Sequence, residues 1–141
     1  MAEPLRHALR VRYAECDAQG VVFNAHYLAY FDIGITELWR AAFGGYQAML
    51  DSGVDIVVAE AQLRFRAPAR FDELVTLEVS VARLGTTSMV TEHVILRDEQ
   101  PLVHGSLRHV FVDRAALAKT PIPDWVREGL APWTAVAAPQ P

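Results

Sequence analysis

The stretch Asn24 to Phe43, NAHYLAYFDIGITELWRAAF, decides the fold. Tyr27, Phe31, Ile35, Leu38 and Ala42 recur at helical spacing, and Leu28, Tyr30, Ile33 and Trp39 spread apolar surface around much of the circumference. This predicts a helix of about 20 residues, about 30 Å long, buried on more than one side. Asn24 stands where an N-cap belongs, and Gly44 and Gly45 end the segment. Gly34 costs such a helix roughly 1 kcal/mol relative to Ala, so something is expected to pack closely against the backbone there.

The sequence on either side of the helix alternates with a period of two. Before it, Arg6 to Ala14 places His7, Leu9, Val11 and Tyr13 on one face and arginines on the other. Glu15 to Phe23, with Gly20, reads as a connection that bends sharply near the glycine. After the helix come a short turn or helix (Tyr46 to Leu50) and four strands. Asp55 to Arg66 sets Val57, Ala59, Ala61, Leu63 and Phe65 against Glu60, Gln62, Arg64 and Arg66, and Leu74 to Arg83 sets Val75, Leu77, Val79 and Val81 inward. Thr87 to Arg97 and Leu102 to Asp113 follow, joined by the turn Asp98 to Pro101. No helix separates the last four strands, which predicts an antiparallel meander. The expected fold class is α+β: one long central helix wrapped by a five-stranded antiparallel sheet. Residues 1–141 are read as a single domain, with Ala131 to Pro141 expected to fray as a flexible tail.

Composition narrows the function. Of 141 residues 52% are hydrophobic and the net charge is -4, which supplies a core and no positive field for nucleic acid. A mean hydropathy of +0.14 and the lack of a long apolar run argue against a membrane protein. With no signal-peptide pattern at Met1 to Tyr13, the expected location is cytoplasmic. Cys16 is the only cysteine, which rules out an internal disulfide or a multi-cysteine zinc site. Lys119 is the only lysine among 13 basic residues, an arginine excess that fits genomic base composition and also suits phosphate recognition.

Dinucleotide, P-loop and nucleophile-elbow glycine patterns are absent, and the five histidines form no metal-ligand pair; no metal site is expected. Cys16 with His26 as base is a weak candidate, since single half-buried cysteines are usually inert. Asp17 remains. It precedes the helix, and Gly20 lets the chain turn its carboxylate toward the helix N-terminus, whose unpaired N–H groups carry partial positive charge. Such N–H groups can polarise a carbonyl while a carboxylate attacks it or activates water. An Asx turn explains Asp17 equally well, and spacing by itself favours that plainer reading.

The run Val11 to Tyr27, VRYAECDAQGVVFNAHY, resembles the hotdog-fold acyl-CoA thioesterases of the 4-hydroxybenzoyl-CoA thioesterase and YbgC type, which carry Y-x-x-x-D-x-x-G-h-V-x-x-x-x-Y at the entry to the central helix. Arg66 to Glu73 and Val110 to Asp113 resemble later segments of that family. The resemblance implies the hotdog fold, Asp17 as catalytic carboxylate, and the backbone N–H of Asn24 as the group that polarises the thioester carbonyl. It implies His26 and Tyr27 in the acyl pocket, with Tyr13, Phe23 and Glu60 as further substrate contacts. Arg70 and the loop Gly85, Thr86, Thr87 and Ser88 are the expected coenzyme A contacts, with Arg64, Arg66, Arg83 and Arg108 as other phosphate candidates. One departure stands out: relatives of the YbgC type often carry arginine where this chain has Ile33 and Ile35.

The implied activity is hydrolysis of a small or aromatic acyl thioester, on coenzyme A or a carrier protein, with no cofactor beyond the substrate. Self-association as a dimer or tetramer is expected, because a five-stranded sheet leaves open edges. Two other readings stand beside it: an acyl-thioester hydratase or dehydratase drawing on His26, and a non-catalytic acyl-CoA-binding module.

Overall fold

A computed structural model describes residues 3–135. β1 (Leu5–Arg10) leads through a 3-10 turn (Tyr13–Glu15) into α1 (Asn24–Phe43), followed by α2 (Gln47–Asp51), β2 (Val54–Phe65), β3 (Leu74–Leu84), β4 (Ser88–Arg97), β5 (Gln100–Asp113) and α3 (Asp124–Leu130). The long helix has the expected bounds, but its N-cap is Phe23, and Asn24 is the first helical residue. β1 stops at Arg10, short of the expected Ala14, because the chain tightens into the 3-10 turn.

All five strands pair antiparallel in one sheet of order β1-β3-β4-β5-β2. The meander expectation is therefore right for β3 to β5 and wrong for β2. β1 occupies the edge of β3 (Leu5↔Val79 to Arg10↔Leu74), so β2 crosses to the far edge and pairs with β5 (Val54↔Asp113 to Phe65↔Val103). Alternation in a sequence tells which face a side chain takes, not which strand lies beside it. A bulge between Val58 and Glu60 also breaks the phase of β2. Val54 and Ile56 pack on the core before it and Leu63 after it, whereas Val57, expected inward, is exposed. The β4–β5 turn is tighter than expected: Asp98 and Glu99 both have positive φ (49° and 65°), as a two-residue hairpin turn requires, and Gln100 and Pro101 belong to β5.

The core lies between α1 and the inner face of the sheet. Tyr27, Tyr30, Phe31, Ile35, Leu38 and Trp39 meet Val75, Leu77, Val79 and Val81 of β3 and the inward side chains of β4 and β5. Two glycines let the helix sit this close. A Cβ on Gly34 would lie 2.6 Å from Val79 Cγ2, and one on Gly105 would lie 2.1 Å from the Gln62 carbonyl oxygen and 2.7 Å from the Phe31 ring. Phe31 stacks on His93 with ring centroids 4.6 Å apart.

α3 closes over the end of α1, with Val126 and Leu130 buried and Gly129 against Phe43. The tail expectation is corrected for its first residues. Ala131–Trp133 forms a 3-10 turn, Thr134 bridges Val81, and the Ala135 N–H donates to the Val81 carbonyl. Satisfied backbone groups hold this segment against the end of β3. The rest of the expected tail, 136–141, lies outside the described residues. Among the described residues no helix is long and apolar enough to cross a membrane.

Gly105→Ala is expected to lower stability by roughly 2–3 kcal/mol or more, since the new methyl meets backbone as well as Phe31; urea unfolding of the two proteins measures it. The buried histidines give a second test. Burial drives His93 from 6.5 down to about 3, assisted by His109, and burial drives His109 down to about 4, opposed by Asp32. The unfolded chain then binds more protons than the folded one below about pH 6.5. Stability is full above that pH and falls as the pH drops toward the folded values, by about 1.4 kcal/mol per pH unit for each histidine. His109→Leu should remove one such contribution from the slope of unfolding free energy between pH 6 and 5.

Candidate active site

The loop between β1 and α1 builds the site. The Val11 N–H donates to the Glu73 carbonyl and the Asp72 N–H to the Val11 carbonyl, fixing the start of this loop on the segment 66–73. Within the 3-10 turn, Glu15 is buried. Its Oε1 accepts from the Arg12 N–H and from Tyr30 Oη, each at 2.8 Å, and its Oε2 accepts from Arg12 Nη2 at 2.9 Å and Nε at 3.1 Å. Burial pushes this carboxyl up, but the hydrogen bonds from Arg12 and Tyr30 and the charge of Arg12 outweigh it, and its pKa lies below the usual range. The Tyr30 hydroxyl is pushed up, by burial and then by Glu15.

A bridge between Cys16 and Val22 closes the next loop, at whose head lies Asp17. The Asp17 N–H donates to the Val21 carbonyl at 2.9 Å, and the Gly20 N–H to the Asp17 carbonyl at 3.0 Å. Gly20 has φ +76°, the left-handed conformation for which glycine suits this bend. Asp17 Oδ1 accepts from the Gln19 N–H at 2.8 Å, so the Asx turn is present. Its Oδ2 has no hydrogen bond among the described residues, and the side chain is exposed; the turn holds the carboxylate and leaves one oxygen free. Burial, then Glu15 and Asp17, push the Cys16 thiol up, which suppresses its thiolate.

At the start of α1, the Phe23 N–H donates to the Glu15 carbonyl at 2.9 Å and the Val22 N–H to the Ala69 carbonyl at 2.8 Å. The N–H groups of Asn24 and Ala25 have no acceptor among the described residues, and no side chain caps the helix. This is the open, electropositive terminus that an anion or a polarised carbonyl oxygen suits. It borders a cleft of about 230 Å³ lined by Val21, Val22, Asn24, Tyr27, Phe65, Arg66 and the Ala67–Pro68 turn. The Tyr27 ring packs against Phe65 at 5.6 Å, and its hydroxyl accepts from the Ala69 N–H at 3.0 Å.

The expected site residues thus divide. Asn24 and Tyr27 line the cleft; Asp17 lies outside its lining, on the loop that runs into it through Val21 and Val22, and Arg70 reaches it only through the backbone bridge to Val21. Arg66 and Arg70 carry no ion pair among the described residues. Phe23 and His26 form an edge-to-face pair at 6.3 Å outside the cleft lining, and Tyr13 is 80% exposed against Phe71. Glu60 lies opposite Arg108 on the outer face of β2, away from the helix. The loop Gly85 to Ser88 lies at the other end of the sheet, about 30 Å along the strands from Asp17, where Thr86 and Thr87 carbonyls accept from Ile122 and Phe111 and Arg127 donates to Gly85. Of the other arginines, Arg64 and Arg108 face outward and Arg83 sits at that far end.

Sequence reading missed Glu15 and Tyr30; the one local sign was a glutamate three residues after Arg12, within reach of its main-chain N–H. It also missed a second cavity of about 280 Å³ where Asp32, Thr36, Tyr46, Asp55 and His109 converge, with His109 Nδ1 buried and unpartnered among the described residues. Histidine on an alternating strand carries no sign of what faces it. Among the described residues no cluster of three or more His, Cys, Asp or Glu has metal-site spacing.

Residues 11–130 match the family described as the thioesterase-like superfamily. The chain belongs to the thioesterase-like superfamily. It is 31% identical over 99 residues to the acyl-CoA thioester hydrolase YbgC of Escherichia coli O6:H1, covering 70% of this chain and 74% of that protein. A solved probable thioesterase from Bartonella henselae superposes with a TM-score of 0.78 at 28% identity, over 85% of this chain and 99% of that one. A 1,4-dihydroxy-2-naphthoyl-CoA thioesterase from Synechocystis superposes with a TM-score of 0.82 over 91% of this chain and 96% of that one; at 18% identity this likeness concerns the fold alone. This superfamily member is a thioester hydrolase with the hotdog fold, a long helix wrapped by a five-stranded antiparallel sheet.

Proposed function

We propose that the chain hydrolyses small or aromatic acyl-CoA thioesters, with Asp17 as the carboxylate that drives the reaction and the Asn24 N–H as the donor to the thioester carbonyl. The observation that carries this is the coupling of an exposed, half-engaged carboxylate to a helix N-terminus that no side chain caps, through Cys16↔Val22 and the Phe23 N–H to Glu15 bond. Either water attacks the carbonyl carbon while Asp17 takes its proton, or Asp17 attacks and water cleaves the resulting anhydride; in both the thiolate leaves and is protonated. A donor aimed at the developing oxyanion lowers the barrier in both.

The acyl preference follows from the cleft, which is aromatic-walled and, at about 230 Å³, below the size usual for a whole ligand site. A second copy completes it in this reading. β2 pairs with β5 on one side only, and Val57, Val58 and Phe65 stay exposed along it, an edge that a second β2 covers. A coenzyme A contact at Gly85 to Ser88 then comes from a different copy than the Asp17 it serves, while Arg66 and Arg70 serve the same chain's cleft. The hydratase reading draws on His26, which pairs with Phe23 at the first turn of α1; thiol release without a change in the acyl chain's unsaturation speaks against it. A cytoplasmic location accompanies a coenzyme A substrate.

Asp17→Asn is expected to reduce thiol release from acyl-CoA by about a hundred-fold or more, and Asn24→Ala by far less because the backbone donor stays. Wild-type turnover by Asp17→Asn on a panel of aryl and short-chain acyl-CoAs refutes the assignment. One turnover in ¹⁸O-water distinguishes the two routes: label in the Asp17 carboxylate marks the nucleophile. Val58→Glu should shift sedimentation toward a monomer and lower activity with it; a dimer of unchanged strength speaks against the β2 interface.

A further inference from the structure

We propose that Glu15 is a positioning residue for the reaction, which with Arg12 and Tyr30 sets the direction of Asp17 relative to the helix N-terminus. The inference rests on the proposed role of Asp17. A carboxylate with 7% side-chain exposure is costly unless donors satisfy its oxygens, and here four do, from Arg12 and Tyr30. The Arg12 side chain is 73% exposed, so its ion pair with Glu15 is half in water and adds little stability; a carboxylate satisfied this completely is better explained by the geometry it enforces.

That geometry is a two-point grip on α1. The Glu15 carbonyl takes the Phe23 N–H, one residue before Asn24, and the Glu15 side chain takes the hydroxyl of Tyr30, six residues further along and about 9 Å up the helix. One contact fixes a point, whereas two fix a direction. Asp17 is two residues past Glu15, inside the loop closed by Cys16↔Val22, so any rotation of the Glu15 turn against α1 moves Asp17 relative to the Asn24 N–H. Arg12 anchors the other oxygen from the solvent side, and Tyr30, 1% exposed, is the member that cannot be replaced by water.

The test is Tyr30→Phe and Glu15→Gln, each alone and in the Asp17→Asn background, assayed by thiol release from benzoyl-CoA and acetyl-CoA. Tyr30→Phe deletes one oxygen and keeps the ring packing, so it should fold with a cooperative thermal transition. Expected is a fall in kcat of about ten- to a hundred-fold with KM within about twofold, the signature of misplacement rather than lost binding. Glu15→Gln should fall less than Glu15→Ala, because its amide oxygen still accepts from Tyr30 and the Arg12 N–H. In the Asp17→Asn background neither change should lower the residual rate further. Wild-type kcat in Tyr30→Phe and Glu15→Gln, or equal fold-losses in both backgrounds, overturns the positioning role while leaving Asp17 in place. Wild-type turnover by Asp17→Asn overturns the parent reading, and the positioning role falls with it.

Discussion

The structure depends on the close seating of one helix against one sheet. α1 approaches β3 and β5 at two places where a side chain is missing, Gly34 over Val79 and Gly105 under Phe31. Those gaps let Phe31 lie flat on His93 and bring the inward row of β3 into contact with the helix. Packed interiors resist even a methyl's worth of extra volume, so the helix axis is fixed where these contacts put it. The proposed site inherits that axis, because it is built on the helix's own N-terminus.

The site is built by main chain as much as by side chains. Bonds from Val22 to Ala69 and Phe71 to Gly20 tie the loop before α1 to the segment 66–73, and the bond from Phe23 to Glu15 ties it to the start of the helix, so the proposed carboxylate, the open N–H groups and Arg66 share one hydrogen-bonded frame. Satisfying those backbone groups away from water also stabilises an irregular loop that has no core of its own. The Asx turn at Asp17 is not a rival to a chemical role: it engages Oδ1 and leaves Oδ2 free. The chain holds an exposed acid steady with one hydrogen bond and, two residues earlier, buries a second acid in four.

Much of the fold was legible because it is local or periodic. The bounds of α1, the inward row of Val75, Leu77, Val79 and Val81, and the positive φ at Gly20 and Gly44 follow from spacing and from backbone sterics. The place of β2 was not legible, since alternation carries no information about neighbours, and the bulge at Val58/Glu60 reversed its faces without a mark in the residues. The site divided along the same line. Asp17 and Asn24 could be read from a motif that is contiguous in the chain, whereas the Tyr30 bond to Glu15 and the Arg66 wall join residues that only folding brings together.

By itself the sequence determined the elements, their inward faces and the contiguous segment that carries the proposed carboxylate and donor, because these are set by interactions within a few residues of one another. Tertiary structure alone decided which strand edge stays open, which arginines reach the cleft, that Gly85 to Ser88 lies far from Asp17, and that Glu15 is buried. Each of those is a pairing across the chain, and its energy comes from burial and hydrogen bonds that do not exist until the helix is seated on the sheet.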